Sequence, residues 1–384
     1  MRKILLSIFA FWLSLVVCFK SAMAQTDSSD KGTRLYKEKS LFSIGVGYQR
    51  GFIFAHSEAV QNTKGSNPSG VELILSWNRN DAAVWDLCNC YPRKGLLLAY
   101  YGYDNAILGH GFSAAYFLEP TYRLSRNLFF SFKGTSGLSY LNHPFDSIKN
   151  PTNQSYSTHV SVYLMVGLGL WFRLNPHWWV NTSVNYQHIS NGGLRQPNKG
   201  INWPTAGLAL TYQKATRPFY TGARTKEKFW KNYSLRWDAG LFGIARRVLD
   251  ENGNSRRLPL VGFNLQTSKQ VGRINAITLG LELYRDEVLR IQLKRDSVRA
   301  SPVKAGILAG HEFLLGRFLF SQRLGLYAFD QTPYYDQLFH RWGLQYRINR
   351  HWGVGFSLQA HRQVADFVDF RFTYTFQNFT STVD

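Results

Sequence analysis

Ser161-Val162-Tyr163-Leu164-Met165-Val166-Gly167-Leu168-Gly169-Leu170-Trp171-Phe172-Arg173-Leu174 is the stretch from which the fold follows. Val162, Leu164, Val166, Leu168, Leu170, Phe172 and Leu174 recur at every second position, and Ser161, Tyr163, Gly167, Gly169 and Arg173 fall between them. A period of two is the signature of a strand whose faces meet different surroundings. The run ends in Leu174-Asn175-Pro176-His177, whose composition is that of a short turn. The chain then returns with Trp178, Val180, Val184 and Tyr186 on one face and Asn181, Ser183, Asn185 and Gln187 on the other. Strands of roughly ten residues with an apolar outer face and a mixed inner one are those of a membrane barrel, so this pair reads as a membrane hairpin.

Working outward, similar segments recur from residues 41–50 to 366–377, about sixteen in all. Aromatic residues make up 16% of the chain, yet after the N-terminal segment no run offers the apolar length that a spanning helix needs. The expected fold is therefore all-β, a transmembrane antiparallel β-barrel of about 16 strands; 14 strands, or two tandem eight-stranded barrels, fit the same segments. Met1-Arg2-Lys3, the apolar run Ile4 to Phe19 and the small-residue site at Ala22-Met23-Ala24 predict a signal peptide over residues 1–24. A flexible leader follows over 25–40, then barrel strands over 41–214, a linker over 215–231 and further strands over 232–377.

The formal charge is +21, and losing Arg2, Lys3 and Lys20 with the signal still leaves a strongly basic chain. Export and the scatter of the positive charge argue against nucleic acid and for the anionic head groups of outer-membrane lipids. Only Cys88 and Cys90 survive cleavage, and a bridge across Asn89 alone would close a small ring, so neither a disulfide scaffold nor a zinc site is expected. At a constant offset of 174 residues, Gly169-Leu170, Arg173, Asn175, His177-Trp178, Val180 and Ser183 recur as Gly343-Leu344, Arg347, Asn349, His351-Trp352, Val354 and Ser357. Duplication explains this, and so does the common physics of hairpins in one barrel.

One segment looks built for chemistry. His188 and Ser190 share the apolar face of Trp178, Val180, Val184 and Tyr186, and two positions apart an imidazole can reach a hydroxyl, the first need of a serine nucleophile. Asn191-Gly192-Gly193 follows with an amide and unhindered backbone N–H groups, the ingredients of an oxyanion hole. Taken alone, His-x-Ser is also what a strand end carries merely to meet head groups. If both chain ends are periplasmic, this strand rises outward, and about 30 Å of climb brings its end to the outer leaflet. The long connection from Asn78 to Arg93 then falls on the periplasmic side, where turns are usually short.

The whole run from His188-Ile189-Ser190-Asn191-Gly192-Gly193 through Gln196-Pro197-Asn198-Lys199-Gly200-Ile201-Asn202 resembles the lipid A 3-O-deacylase family of acyloxyacyl-hydrolase-like outer-membrane enzymes. The likeness extends loosely over residues 41–214 and includes Tyr91-Pro92-Arg93-Lys94-Gly95. It implies an ester hydrolase of the bacterial outer membrane with Ser190 as nucleophile, His188 as general base, and Asn191, Gly192 and Gly193 around the oxyanion. The implied substrate is an ester-linked acyl chain of lipid A, part of lipopolysaccharide. Asn202 stands where the family has a glutamate that orients the histidine, and an amide oxygen can hold the ring but cannot offset an imidazolium charge. Neither cofactor nor metal is called for, and the oligomeric state is left open. In the second half Arg362 and Val364 fall where His188 and Ser190 stand, so that half reads as catalytically empty. A porin-like channel and a non-catalytic lipid-binding barrel are the alternatives.

Overall fold

In the computed structural model, which describes residues 40–193, 195–223, 228–249, 255–334, 336–362 and 364–379, the strands close into two barrels. The first holds β1 (Leu41–Gly51), β2 (Ser69–Asn78), β3 (Tyr91–Gly102), β4 (His110–Arg123), β5 (Leu128–Leu141), β6 (Val160–Arg173), β7 (Trp178–Ser190) and β8 (Ile201–Gln213). The second holds β9 (Arg236–Leu249), β10 (Ser255–Gln270), β11 (Asn275–Asp286), β12 (Val303–Leu315), β13 (Phe318–Phe329), β14 (Leu338–Arg347), β15 (Trp352–His361) and β16 (Val364–Gln377). Every pairing is antiparallel. The expected single barrel of about 16 strands is corrected to its tandem alternative: β8 returns onto β1, from Ser43 opposite Gln213 to Gly51 opposite Thr205, and β16 returns onto β9. The predicted linker falls between β8 and β9. The predicted signal peptide and all of the leader except Ser40 lie outside the described residues.

An even number of strands brings both ends of each barrel to one side. On that side the connections are mostly tight, at residues 124–127, 174–177, 271–274, 316–317 and 348–351; we call it the turn end. The opposite, loop end of the first barrel carries the long connections 52–68, 103–109, 142–159 and 191–200. Long loops on one side and short turns on the other are usual for outer-membrane barrels.

The exception at the turn end is residues 79–90, which fold into helix α1 (Ala82–Cys88). Asp81 caps it by accepting from the Val84 N–H at 3.3 Å, and its carboxylate pairs with Arg79 at 2.7 Å. Burial raises the Asp81 pKa, but the Arg79 guanidinium and the cap outweigh it, and the net shift is downward. Trp85, Tyr91, Phe129, Trp171 and Trp179 close this end with Phe219 of the linker. Cys88 and Cys90 are disulfide-bonded, correcting the expectation drawn from ring size. Asn89 between them adopts left-handed backbone (φ +50°), which asparagine tolerates, and the chain reverses sharply enough to bring the two Cα atoms to 5.1 Å.

The alternation places large apolar side chains on the outside of both barrels: Val46, Val184, Leu208, Leu241, Leu279 and Phe370 are all more than half exposed. Water would not tolerate so continuous a band, whereas lipid would. Inside, polar residues satisfy one another. Arg93 pairs with Glu119 at 3.0 Å and stacks over Trp171 at 3.6 Å, while Ser131 and the Trp171 Nε1–H donate to the same carboxylate. An eight-stranded barrel is just wide enough for side chains to fill it. The channel alternative needs sixteen strands around one lumen, and that lumen does not form.

Candidate active site

The site is assembled by sheet register. On β7, His188 and Ser190 lie two positions apart on the outer face, and the β7–β8 pairing sets His188 directly opposite Asn202. Directly opposed residues in an antiparallel pair have their side chains within reach of each other. The Ser190 Oγ lies 2.9 Å from His188 Nε2, and His188 Nδ1 lies 2.7 Å from Asn202 Oδ1. With Nδ1 protonated and donating to that oxygen, Nε2 carries the lone pair that faces the hydroxyl. This is the arrangement of a serine, a general base and the group that orients the base.

A fourth residue, absent from the sequence reading, completes the row. Beyond Gly51 the chain continues along the edge of β8, where Phe54 N–H donates to Asn202 O at 2.8 Å. Two residues further, His56 Nδ1 accepts from Asn202 Nδ2 at 2.9 Å. The signal was present as parity, since Ile44, Val46, Tyr48, Phe52, Phe54 and His56 share one phase. Gly51 suggested the end of the strand and hid it.

The loop after Ser190 is held by its own polar groups. Asn191 is buried; its N–H donates to Asn198 Oδ1 at 2.9 Å, its Nδ2 donates to Arg195 O at 2.7 Å and to Ser157 Oγ at 3.3 Å, and its Oδ1 accepts from Gly193 N–H at 3.0 Å. Of the three expected oxyanion donors, the Asn191 amide and the Gly193 N–H are thus engaged in shaping the loop. The Gly192 N–H has no hydrogen-bond acceptor among the described residues. Gly192 has φ +65°, and a Cβ on it would come within 3.2 Å of Val368 in the second barrel. Gly200 has φ +80°, and a Cβ there would lie 2.8 Å from His188 Cε1, so only glycine lets the loop cross the ring this closely. Lys199 and Gly200 N–H donate to Gln154 O at 3.0 Å and Ser155 O at 2.7 Å, tying this loop to the one between β5 and β6.

The described residues contain no cluster of metal-ligating side chains. In the second barrel, His361 faces inward and lies 2.5 Å from Asp366, and β16 begins at Val364, three residues on, with no counterpart of the loop that follows Ser190.

Comparison with known proteins matches residues 55–212 to the family model of lipid A 3-O-deacylase (PagL) and residues 235–378 to that of the acyloxyacyl hydrolase C-terminal domain. No curated protein matches the chain. Similar solved structures include Neisserial surface protein A, at 9% identity and TM-score 0.33, covering 45% of this chain and 96% of that one. The outer membrane enzyme PagL matches at 17% identity and TM-score 0.31, covering 43% and 97%. Ail, the attachment invasion locus protein of Yersinia pestis, matches at 18% identity and TM-score 0.29, covering 46% and 99%.

Proposed function

Because the chain belongs to the lipid A 3-O-deacylase family, with an acyloxyacyl hydrolase C-terminal domain following the deacylase domain, we propose that its first barrel is a serine esterase that removes an ester-linked acyl chain from lipid A in the outer leaflet. The observation that carries this reading is the hydrogen-bonded row Ser190, His188, Asn202 on the outward surface, at the end of the barrel with the long loops. A histidine and a serine turned toward lipid cost desolvation unless they bond or act. An ester of a membrane lipid reaches them without leaving the membrane.

In this mechanism the Ser190 hydroxyl gives its proton to His188 Nε2 as Oγ attacks the ester carbonyl. The Gly192 N–H is the backbone donor available to the resulting oxyanion. Collapse breaks the bond to the sugar oxygen, which leaves with the proton from Nε2, and the acyl group remains on Ser190. Water then attacks the acyl-enzyme with His188 as base, releasing the fatty acid and restoring the hydroxyl. Asn202 keeps the imidazole oriented throughout and contributes no charge. The second barrel supplies no nucleophile in this reading.

The test is mass spectrometry of lipid A from cells with and without the protein. Loss of one acyl chain from lipid A is expected with the native chain, and no loss with Ser190→Ala or His188→Ala at equal barrel content. Unchanged lipid A with the native protein, or full activity in either variant, would overturn the assignment.

A further inference from the structure

Asn202 poses a chemical problem that a carboxylate would not. A carboxylate offers only acceptors, so a histidine beside it must point an N–H toward it. An amide has one end that accepts and one that donates. If Nδ2 faced His188 Nδ1, that nitrogen would have to carry the lone pair, the proton would move to Nε2, and the ring would donate to Ser190 instead of accepting from it. In a serine protease triad, replacing the aspartate by asparagine costs about 10⁴-fold in kcat because the amide selects that wrong tautomer.

The geometry answers the problem with a second imidazole. Asn202 Oδ1 lies 2.7 Å from His188 Nδ1, and Asn202 Nδ2 lies 2.9 Å from His56 Nδ1. An acceptor at His56 Nδ1 engages the donating end of the amide and leaves the oxygen for His188. His56 reaches this position because the chain leading to it from β1 is pinned to β8 by two successive hydrogen bonds, Phe52 N–H to Pro204 O at 3.3 Å and Phe54 N–H to Asn202 O at 2.8 Å. Asn202 itself is nearly buried, so water does not substitute for His56 freely.

We infer that His56 is a positioning residue for the Ser190–His188 pair: it fixes the orientation of the Asn202 amide and through it the Nδ1–H tautomer that makes His188 a base. His56 touches neither the nucleophile nor the acyl group. It does by hydrogen bonding part of what a glutamate does by charge, and its value depends on residue 202 being an amide.

That dependence makes the role testable apart from simple packing. The kinetic arm rests on the esterase reading, and uses full-length protein in detergent micelles with lipopolysaccharide as substrate. His56→Phe is expected to lower kcat by about 10²-fold or more, toward the roughly 10⁴-fold cost of the wrong tautomer, with KM unchanged. His56→Gln, whose amide oxygen can accept from Asn202 Nδ2, is expected to recover most of the loss. In an Asn202→Glu background, His56→Phe is expected to change kcat by less than about twofold, because a carboxylate has no wrong end. An equal loss in both backgrounds would overturn the inference, since His56 would then act through the fold or the substrate. The second arm needs no activity: histidine ¹⁵N spectra of the Ser190→Ala protein are expected to show His188 protonated at Nδ1, and a shift of the proton to Nε2 when His56→Phe is added. Finding Nδ1–H equally with and without His56 would also overturn it. A native protein inactive on lipopolysaccharide but with this tautomer dependence would sink the esterase proposal and leave the role of His56 standing.

Discussion

The two barrels share one hairpin almost atom for atom at one end and differ entirely at the other. At the turn between β6 and β7, Asn175 Oδ1 accepts from His177 and Trp178 N–H, both at 2.9 Å; between β14 and β15, Asn349 Oδ1 accepts from His351 and Trp352 N–H, both at 2.8 Å. His177 and His351 Nδ1 each meet a carbonyl of the neighbouring strand, Gln213 O and Thr375 O, and each ring stacks on a tyrosine with centroids 5.7 Å apart. This is the segment that recurs at an offset of 174 residues. At the loop end the likeness stops: β7 runs on through His188 to Ser190 and the connection 191–200, whereas β15 ends at His361 and β16 begins at Val364. The shared turn sets the register of both hairpins, and the candidate site lies where the first barrel departs from the second.

The sharpest way to break this contrast is at Ser190. If only the first barrel reacts, Ser190→Ala alone is expected to lower deacylation by on the order of 10³-fold or more, since members of such a unit each cost nearly the whole effect. Substantial activity surviving in the single variant, measured as fatty acid released from lipopolysaccharide, would mean that a nucleophile has been overlooked in the second half.

A second contrast is what fills each lumen. In the first, a hub forms on Gln187: Tyr163 Oη donates to Gln187 Oε1 at 2.7 Å, Gln187 Nε2 donates to Tyr101 Oη and Thr205 Oγ1, both at 3.0 Å, and Tyr101 Oη donates on to the Glu72 carboxylate at 3.0 Å. The second has a like hub, Gln359 donating to Tyr284 Oη at 3.1 Å and Tyr327 Oη at 2.8 Å, and beside it Arg341 fully buried between Asp369 at 2.5 Å and Glu282 at 2.9 Å, with Arg371 next to them. Removing one partner of a buried ion pair strands the others. Arg341→Met is therefore expected to destabilise the second barrel by about 3–5 kcal/mol. Gln187→Met in the first barrel removes a neutral hub and is expected to cost less, about 1–3 kcal/mol. Urea titrations followed by tryptophan fluorescence in micelles would rank the two, and the reverse order would show that the charged lumen is not what holds the second barrel.

Smaller in free energy but aimed at the site is Gly200→Ala. The new methyl would meet His188 Cε1 at 2.8 Å on a backbone with φ +80°. The imidazole must move or the loop must lift. A fall of about tenfold or more in kcat is expected, without loss of the barrel, because small misplacements of a reacting group are costly. Activity at the native level would mean that the ring is not held where the Ser190 contact requires it.

Much of this was legible in the sequence. Period-two alternation gave the strands, because lipid outside and packed polar groups inside impose opposite demands on successive residues. Parity set His188 and Ser190 on one outward face, and the run to Asn202 supplied the family resemblance. Barrel closure was not legible: the β1–β8 pairing joins residues far apart in the chain, and the alternation of each strand is the same whichever partner closes the sheet. The offset repeat and the linker at 215–231 held the only hint. His56 was hidden by Gly51, although it keeps the outward phase of β1. Nor does residue type reveal how the amide of Asn191 is used, since an asparagine can serve a substrate or its own loop equally well.

The mildest test returns to the shared turn. Each of Asn175 and Asn349 satisfies two backbone N–H groups that would otherwise be left over where the strand reverses, and a short side chain bonding the backbone two and three residues on is the reason asparagine favours such turns. With net values near 1 kcal/mol per bond, reduced by water at an exposed turn, Asn175→Ala and Asn349→Ala are each expected to cost about 1–2 kcal/mol. Because the hydrogen bonds agree to within 0.1 Å, the two costs are expected to be equal, and additive in the double variant since the turns lie in separate barrels. Deacylation is expected to survive both, as the turn lies a full strand away from Ser190. A markedly larger cost for Asn349 would indicate that the second barrel depends on its turn more than the first, whose turn end is also covered by α1 and the linker.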